Sequence, residues 1–319
     1  MEKIKTESVS SPEKENLRTA AIVPGCANAP NGLIGGLTRF ERLRRSLEGQ
    51  GYKIVDSSEY ADSRIPDCSL FVGGQKLHIC EEGIGAMEDR LLDSLRKPED
   101  GIISRFINRR FSLAMTRRLM NSKIHPNHIS IVTLLLGLSC GSVLALGGYW
   151  AGVLGAALLQ AQSMIDGVDG ELARLRYQGS RLGEWLDTVS DDLGELSFLT
   201  GATVVAPLPW LRWFGIAGMV SYVVAKAAIY YQLATRFHSG NLQVFKWELG
   251  DPKKLASKLE FFFKHDFLCL LVLILAFINR LDAALFLFSS GAIIMFLKFI
   301  QQRMSSRLSN PEKVLRRVP

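Results

Sequence analysis

Apolar and polar positions divide the chain near residues 98–125: before that stretch they are mixed at short range, and from about His128 onward long apolar runs dominate. A membrane-spanning helix needs roughly 20 mostly apolar residues. Six stretches approach that length, at about 128–148, 150–168, 185–206, 210–233, 266–279 and 281–301. The fifth is short unless Glu260–Phe263 join it, and the third carries acids at its start. Upstream, residue patterning predicts short strands at 18–23, 53–55, 69–72 and 77–79, and helices over 36–51 and 82–96. The expected fold is an all-α polytopic membrane protein with six transmembrane helices and a small N-terminal α/β cytosolic domain.

Five segments follow from this pattern. Residues 1–17 read as a disordered polar leader, without the apolar core of a signal peptide. Residues 18–98 form the α/β unit. Residues 99–124 place Arg and apolar positions at near-helical spacing, which predicts an amphipathic helix lying in the membrane interface. Residues 125–304 hold the six spans, and 305–319 form a basic cytosolic tail.

Charge matters here through its position. The net charge is +7, with 38 Lys and Arg against 31 Asp and Glu. The basic residues gather before span one, between spans two and three, between spans four and five, and in the tail. The opposite loops offer Arg212 and Arg280. This asymmetry predicts a multi-pass protein of the cell membrane with both termini in the cytoplasm. It assigns the basic surplus to topology and lipid head groups, so no nucleic-acid partner is expected. The five cysteines are scattered without a CxxC pair, which argues against a zinc site or a disulfide framework.

The candidate chemistry lies where acids are expensive. Asp166 and Asp169 fall at the end of span two, and Asp187 and Asp191 at the start of span three. A carboxylate near hydrocarbon costs at least about 2.5 kcal/mol. Spacings of three and four place each pair on one helical face. Convergence of the two pairs would give an all-oxygen site for hard cations, Mg²⁺ or Mn²⁺, and four carboxylates suit two ions. Gly170, Ala173 and Gly183 leave room for a nucleotide, Arg174 supplies a planar, permanently charged hydrogen-bond donor for phosphate, and Ser180 adds a hydroxyl. A single Asp in such a place more commonly caps a helix or pairs with Arg; the whole pattern is what points to a site. An ion-coupled transporter would instead want acids near the bilayer midplane, and an inactive scaffold would tolerate decay of the pattern.

The run Asp166, Asp169, Gly170, Ala173, Arg174, Gly183, Asp187, Asp191 resembles the signature of the CDP-alcohol phosphotransferase family, D-x2-D-G-x2-A-R-x8-G-x3-D-x3-D, at every fixed position. Pro126-Asn127-His128-Ile129-Ser130 is similar to the family's start of the first span. The resemblance covers roughly residues 99–305. It implies a phosphotransferase that joins a CDP-alcohol donor to a polar alcohol acceptor and releases CMP, working as a homodimer in the bilayer. It further implies that Asp166, Asp169, Asp187 and Asp191 hold metal, and that Asp191 is general base to the acceptor hydroxyl. Asn127, Ser130, Gly170, Ala173, Arg174, Ser180 and Gly183 would line the CDP-alcohol site. Lys226, inside span four, is a candidate acceptor ligand; it would otherwise snorkel to the interface or pair with an acid on span three. Lys264, His265 and Asp266 are either acceptor contacts or a solvated helix end.

The front unit resembles a truncated sugar-phosphate nucleotidyltransferase domain, and 91–109 resembles the linker joining such domains to membrane phosphotransferases in fused inositol-type enzymes. Pro24–Gly36 lacks the G-x-G-x-R run and the downstream Pro-Lys of those domains. The unit is therefore expected to have lost transferase chemistry, serving instead a dimer or the mouth of the site. Two donors remain open, CDP-diacylglycerol and CDP-inositol.

Overall fold

The computed structural model describes residues 18–23, 33–50, 52–54, 63–66, 69–72, 75–96, 103–237 and 265–308, in two compact units, Met1–Ser94 and Leu95–Pro319. The expected leader, residues 24–32 with most of the Pro24–Gly36 run, the segment 238–264 with Lys264, and the expected tail from 309 lie outside the described residues.

In the first unit β1 (Arg18–Val23) lies between β4 (Tyr52–Ile54) and β5 (Ser63–Pro66), parallel to both. Two small antiparallel ladders join β2 (Leu33–Ile34) to β3 (Leu37–Thr38) and β6 (Ser69–Val72) to β7 (Gln75–His78). Helix α1 (Arg39–Gly49) starts at Thr38, whose hydroxyl accepts from the Glu41 N–H. It buries Leu43 and Leu47 against Ala20. Arg42 is also buried, donating to the carbonyls of Ile34 and Gly35 at 2.7 and 2.8 Å. Helix α2 (Ile79–Ser94) closes the unit. Patterning found β1, both helices and β6, and placed β4 and β7 within one or two residues, but missed β5 and the β2–β3 ladder, whose strands are too short to carry a period.

The second unit is helical. A π-helical turn (Ser104–Asn108) leads into α3 (Arg109–Leu119), followed by α4 (Pro126–Leu144), α5 (Tyr149–Arg176), α6 (Arg181–Val205), α7 (Pro209–Gln232), α8 (His265–Phe277) and α9 (Leu281–Leu308). Helices α4 to α9 stand at the six apolar stretches. Three stretches among the described residues, Pro126–Leu144, Pro209–Thr235 and Leu281–Gln301, are long and apolar enough to cross a membrane by length and composition. Helices α5 and α6 fall short because they carry the acids and arginines of the site, and α8 because it is brief.

All six contribute to one apolar core, including Leu144, Leu159, Phe198, Leu211, Val272 and Phe288. Helix α4 sits between α5 and α6. Small residues let α4 and α6 touch: a Cβ on Gly141 would overlap Ser197, and one on Gly201 would overlap the Gly141 backbone. Many large apolar side chains point outward, among them Leu135, Trp213, Val220, Ile274 and Leu297, as a lipid-facing surface requires.

Helix α5 runs eight residues beyond the expected end of span two, because nothing in its sequence stops it before Tyr177, a left-handed cap at φ 52°. It thus carries Asp166 through Arg174 on one rigid rod. Ser180 caps α6 by accepting from the Gly183 N–H at 3.0 Å.

Helix α3 docks on α5 through polar groups. Arg109 donates to Glu171 Oε1 at 2.6 Å, Ser112 to the same oxygen at 2.7 Å, and Thr116 to Oε2 at 2.6 Å. Arg176 then gathers the carbonyls that α3 and the following turn leave open, donating to Leu119 at 2.6 Å and Ser122 at 2.7 Å, and also to Met120 and Ile124. The other face of this segment exposes Phe106, Phe111 and Met115.

Candidate active site

The ends of α4, α5 and α6 enclose a cavity of about 430 Å³. Its lining includes Asn127, Ser130, Asp166, Asp169, Gly170, Ala173, Arg174, Ser180, Gly183 and Asp187. Ten of the sequence candidates therefore meet in one place. The long α5 presents Asp166, Asp169, Gly170, Ala173 and Arg174 on one side. The α6 start presents Gly183 and Asp187, and Asn127 and Ser130 come from the first turns of α4. Pro126 is the first residue of α4, where its fixed φ suits a helix start, and the His125 ring accepts from the Asn127 N–H at 3.3 Å.

The contacts explain the small residues. A Cβ on Gly183 would stand 3.2 Å from Ser180 Oγ and 3.5 Å from Asn127 Oδ1, so the α4 and α6 starts close on this position. A Cβ on Gly170 would stand 3.4 Å from Arg174 Nη1. The guanidinium therefore lies over a bare stretch of helix.

The carboxylates differ in what holds them. Asp169 is buried and accepts from the Ser130 hydroxyl and from the Gly170 N–H. Asp166 Oδ1 and Asp191 Oδ1 are shielded from solvent and have no hydrogen-bond partner. Asp166 lies within electrostatic reach of Asp191, Asp187 and Asp169. Among the described residues no three His, Cys, Asp or Glu side chains already surround one point as a ligand set. Two shielded, unpartnered carboxylate oxygens beside two further aspartates are nonetheless a donor set suited to hard cations, and a cation would satisfy oxygens that the protein leaves open.

Asp191 is absent from the cavity lining. It sits one turn beyond Asp187, with Oδ1 3.7 Å from His265 Nε2. Lys226 is likewise elsewhere: it donates to Asp192 Oδ1 at 2.5 Å. Of the readings open from sequence, pairing with an acid on span three is the observed one. His265 and Asp266 do not form a solvated end. His265 Nδ1 lies 2.8 Å from Glu195 Oε1, and Asp266 Oδ1 accepts from Asn108 and Ser163 at 3.0 Å each.

The sequence reading missed Arg109, Pro126, Gly167, Gln178, Gly179 and Glu184 in the lining. It also missed a second polar cluster of Asp192, Glu195, Tyr222, Lys226, Tyr230 and His265. A signal for that cluster existed: Tyr222, Lys226 and Tyr230 recur every four residues on one face of an otherwise apolar α7.

Residues 123–300 match the family model described as CDP-alcohol phosphatidyltransferase, and the chain belongs to that family. It is similar to proteins named bifunctional IPC transferase and DIPP synthase. The one from Aquifex aeolicus is 38% identical over 130 residues, covering 39% of this chain and 29% of that protein. The one from Thermococcus kodakarensis is 30% identical over 209 residues, covering 65% and 46%. The archaetidylinositol phosphate synthase of Methanothermobacter thermautotrophicus is 39% identical over 85 residues, covering 25% and 44%. The matches span less than half the length of each of these relatives.

Proposed function

We propose that the chain transfers a phosphoalcohol group from a CDP-alcohol to an acceptor alcohol, forming a phosphodiester and releasing CMP. The observation that carries this reading is the cavity at the ends of α4, α5 and α6, where family-signature residues from separate helices meet. Helices α4 to α9 would be the six spans, with both termini cytoplasmic, and the protein would act as a homodimer.

Asp166, Asp169, Asp187 and Asp191 would hold two Mg²⁺ or Mn²⁺ ions, which when bound neutralise phosphate charge and stabilise both the attacking and the leaving oxygen. Ser130 fixes one oxygen of Asp169. Arg174 would bind donor phosphate over Gly170, and Asn127, Ala173, Ser180 and Gly183 would shape the CDP pocket. Asp191 would take the acceptor hydroxyl proton as that oxygen attacks the β-phosphorus and the bond to CMP breaks. Its unpartnered Oδ1 supports that role. Lys226 could serve an acceptor phosphate only by leaving Asp192.

Two donors are compared, CDP-diacylglycerol and CDP-inositol. The linker resemblance and the name archaetidylinositol phosphate synthase both direct attention to inositol-type substrates. The test is CMP release by the full chain in detergent with Mg²⁺, each donor offered with a panel of polyol phosphates. Release from one donor, lost in Asp191→Asn, is the expected result. No release from either donor by folded protein would count against the reading.

A further inference from the structure

We propose that Arg109, on the amphipathic helix α3, is a further phosphate-binding residue of the donor cavity, held ready beside it by Glu171. This rests on the reading that the cavity accepts a CDP-alcohol.

Arg109 is remote in sequence from the signature, yet its largely buried side chain lines the same cavity. The acids lining that cavity are Asp166, Asp169, Glu184 and Asp187; the arginines are Arg109 and Arg174. A diphosphate approaching such a surface needs every cation it can reach.

The two guanidiniums occupy matching places. A Cβ on Gly167 would stand 3.4 Å from Ser112 Oγ and 3.5 Å from Arg109 Nη1, and one on Gly170 would stand 3.4 Å from Arg174 Nη1. Gly167 and Gly170 are three residues apart, on one face of α5 and about 4.5 Å along its axis. Each arginine thus sets a guanidinium nitrogen against a glycine of α5 next to Asp166 and Asp169, Ser112 sharing the Gly167 position. Arg109 is at the Asp166 end of that stretch.

Glu171 explains how Arg109 waits there. Its carboxylate is fully buried and has three donors: Arg109, Ser112 and Thr116. The two hydroxyls come from positions three and seven residues after Arg109 on the same face of α3. When Arg109 turns part of its fork to an anion, Ser112 still serves Oε1 and Thr116 still serves Oε2. Glu171 therefore stays paired and α3 stays docked. A guanidinium has donors enough to bind both a carboxylate and a phosphate.

The competing explanation is that the Arg109–Glu171 pair merely fastens α3. Calorimetry on the full chain in detergent with Mg²⁺ separates the two, with CDP and CMP as probes. Arg109→Gln should weaken CDP about tenfold to a hundredfold, with CMP changed far less because it lacks the second phosphate. Glu171→Gln should keep or tighten CDP binding, since it releases the arginine to the ligand. Arg109→Lys keeps the charge but loses the planar fork; it should retain the wild-type melting temperature with a several-fold loss for CDP, and it carries the test if Arg109→Gln does not fold. Equal losses for CDP and CMP would overturn the proposal, and so would a Glu171→Gln variant that mimics Arg109→Gln. A folded wild type that binds neither nucleotide would overturn the donor-site reading itself, a result distinct from any change among variants.

Discussion

Asp191 and Asp192 are neighbours in sequence, yet α6 turns them toward different surroundings. Asp192 is buried and saturated: Lys226 and the Tyr222 hydroxyl reach Oδ1 at 2.5 and 2.9 Å, and the Tyr230 hydroxyl donates to Oδ2. Glu195, one turn on, is met by Tyr222 at 2.7 Å and His265 at 2.8 Å. On the other side, Asp191 Oδ1, like Asp166 Oδ1 on α5, is shielded and without a hydrogen-bond partner. Both groups place carboxylates within or beside apolar helices, Asp192 buried and Asp191 partly exposed, where an ionised acid is costly. The saturated group is satisfied by the protein alone, so its role is to hold α6, α7 and α8 together. In the other group, among the described residues, Asp191 Oδ1 has only His265 Nε2, at 3.7 Å, for a cationic neighbour, and a cation from outside would satisfy the two oxygens that no hydrogen bond reaches.

The contrast predicts opposite outcomes for the same chemical change. Asp166→Asn or Asp187→Asn should reduce CMP release about a thousandfold or more, because the site residues act as a unit. The thermal unfolding temperature of Asp166→Asn should stay level or rise, since a shielded charge with an unsatisfied oxygen is removed. A large loss of stability would mean that this acid is structural after all.

Asp192→Asn should do the reverse. Removing one partner of a buried ion pair costs about 3–5 kcal/mol because the other charge is left unpaired. A marked drop in detergent melting temperature is expected, and Asp192→Asn combined with Lys226→Met should recover much of it. No recovery in the double variant would place the stabilisation elsewhere than in that pair.

Magnesium offers a third measure. Ligand at a hundredfold excess over its Kd stabilises a folded protein by about 2.7 kcal/mol. Adding Mg²⁺ should raise the melting temperature of the wild type, leave Asp166→Asn unmoved, and still shift the weakened Asp192→Asn. A shift that persists in Asp166→Asn would move the cation away from the cavity.

The cavity group was legible because its residues fall in one dense run, where Asp166 to Asp191 repeat with helical spacing and only the approach of α4 had to be added. The saturated group was not, because its members come from three helices and its acids look like part of the same run. Asp192 and Glu195 gain their meaning only when α7 and α8 arrive with Lys226, Tyr222, Tyr230 and His265. Arg109 escaped for a related reason: read along the chain it is one of several arginines before the first span, and its burial on Glu171 is a tertiary fact. The length of α5 was underestimated because hydropathy ends at the acids while the helix does not. In the first unit, α1 announced itself through the helical spacing of its apolar positions, whereas β5, Ser63–Pro66, has one large apolar residue, Ile65, and so no alternation to mark it.

The finest test of the contrast concerns the two tyrosines. Tyr222 lies between Asp192 and Glu195: it shares Asp192 Oδ1 with Lys226 and serves Glu195 Oε2, the oxygen that His265 does not reach. Tyr230 serves Asp192 Oδ2, the oxygen that Lys226 does not reach. Each substitution leaves one carboxylate oxygen without that donor, so Tyr222→Phe and Tyr230→Phe should each lose about 1–3 kcal/mol, Tyr222→Phe the more because its hydroxyl touches both acids. Melting of the two variants in the same detergent checks the order. If Tyr230→Phe proves the more damaging, Asp192 alone, and not the Tyr222 bridge to Glu195, is the centre of the saturated group, and the contrast with Asp191 is confined to that one pair of neighbours.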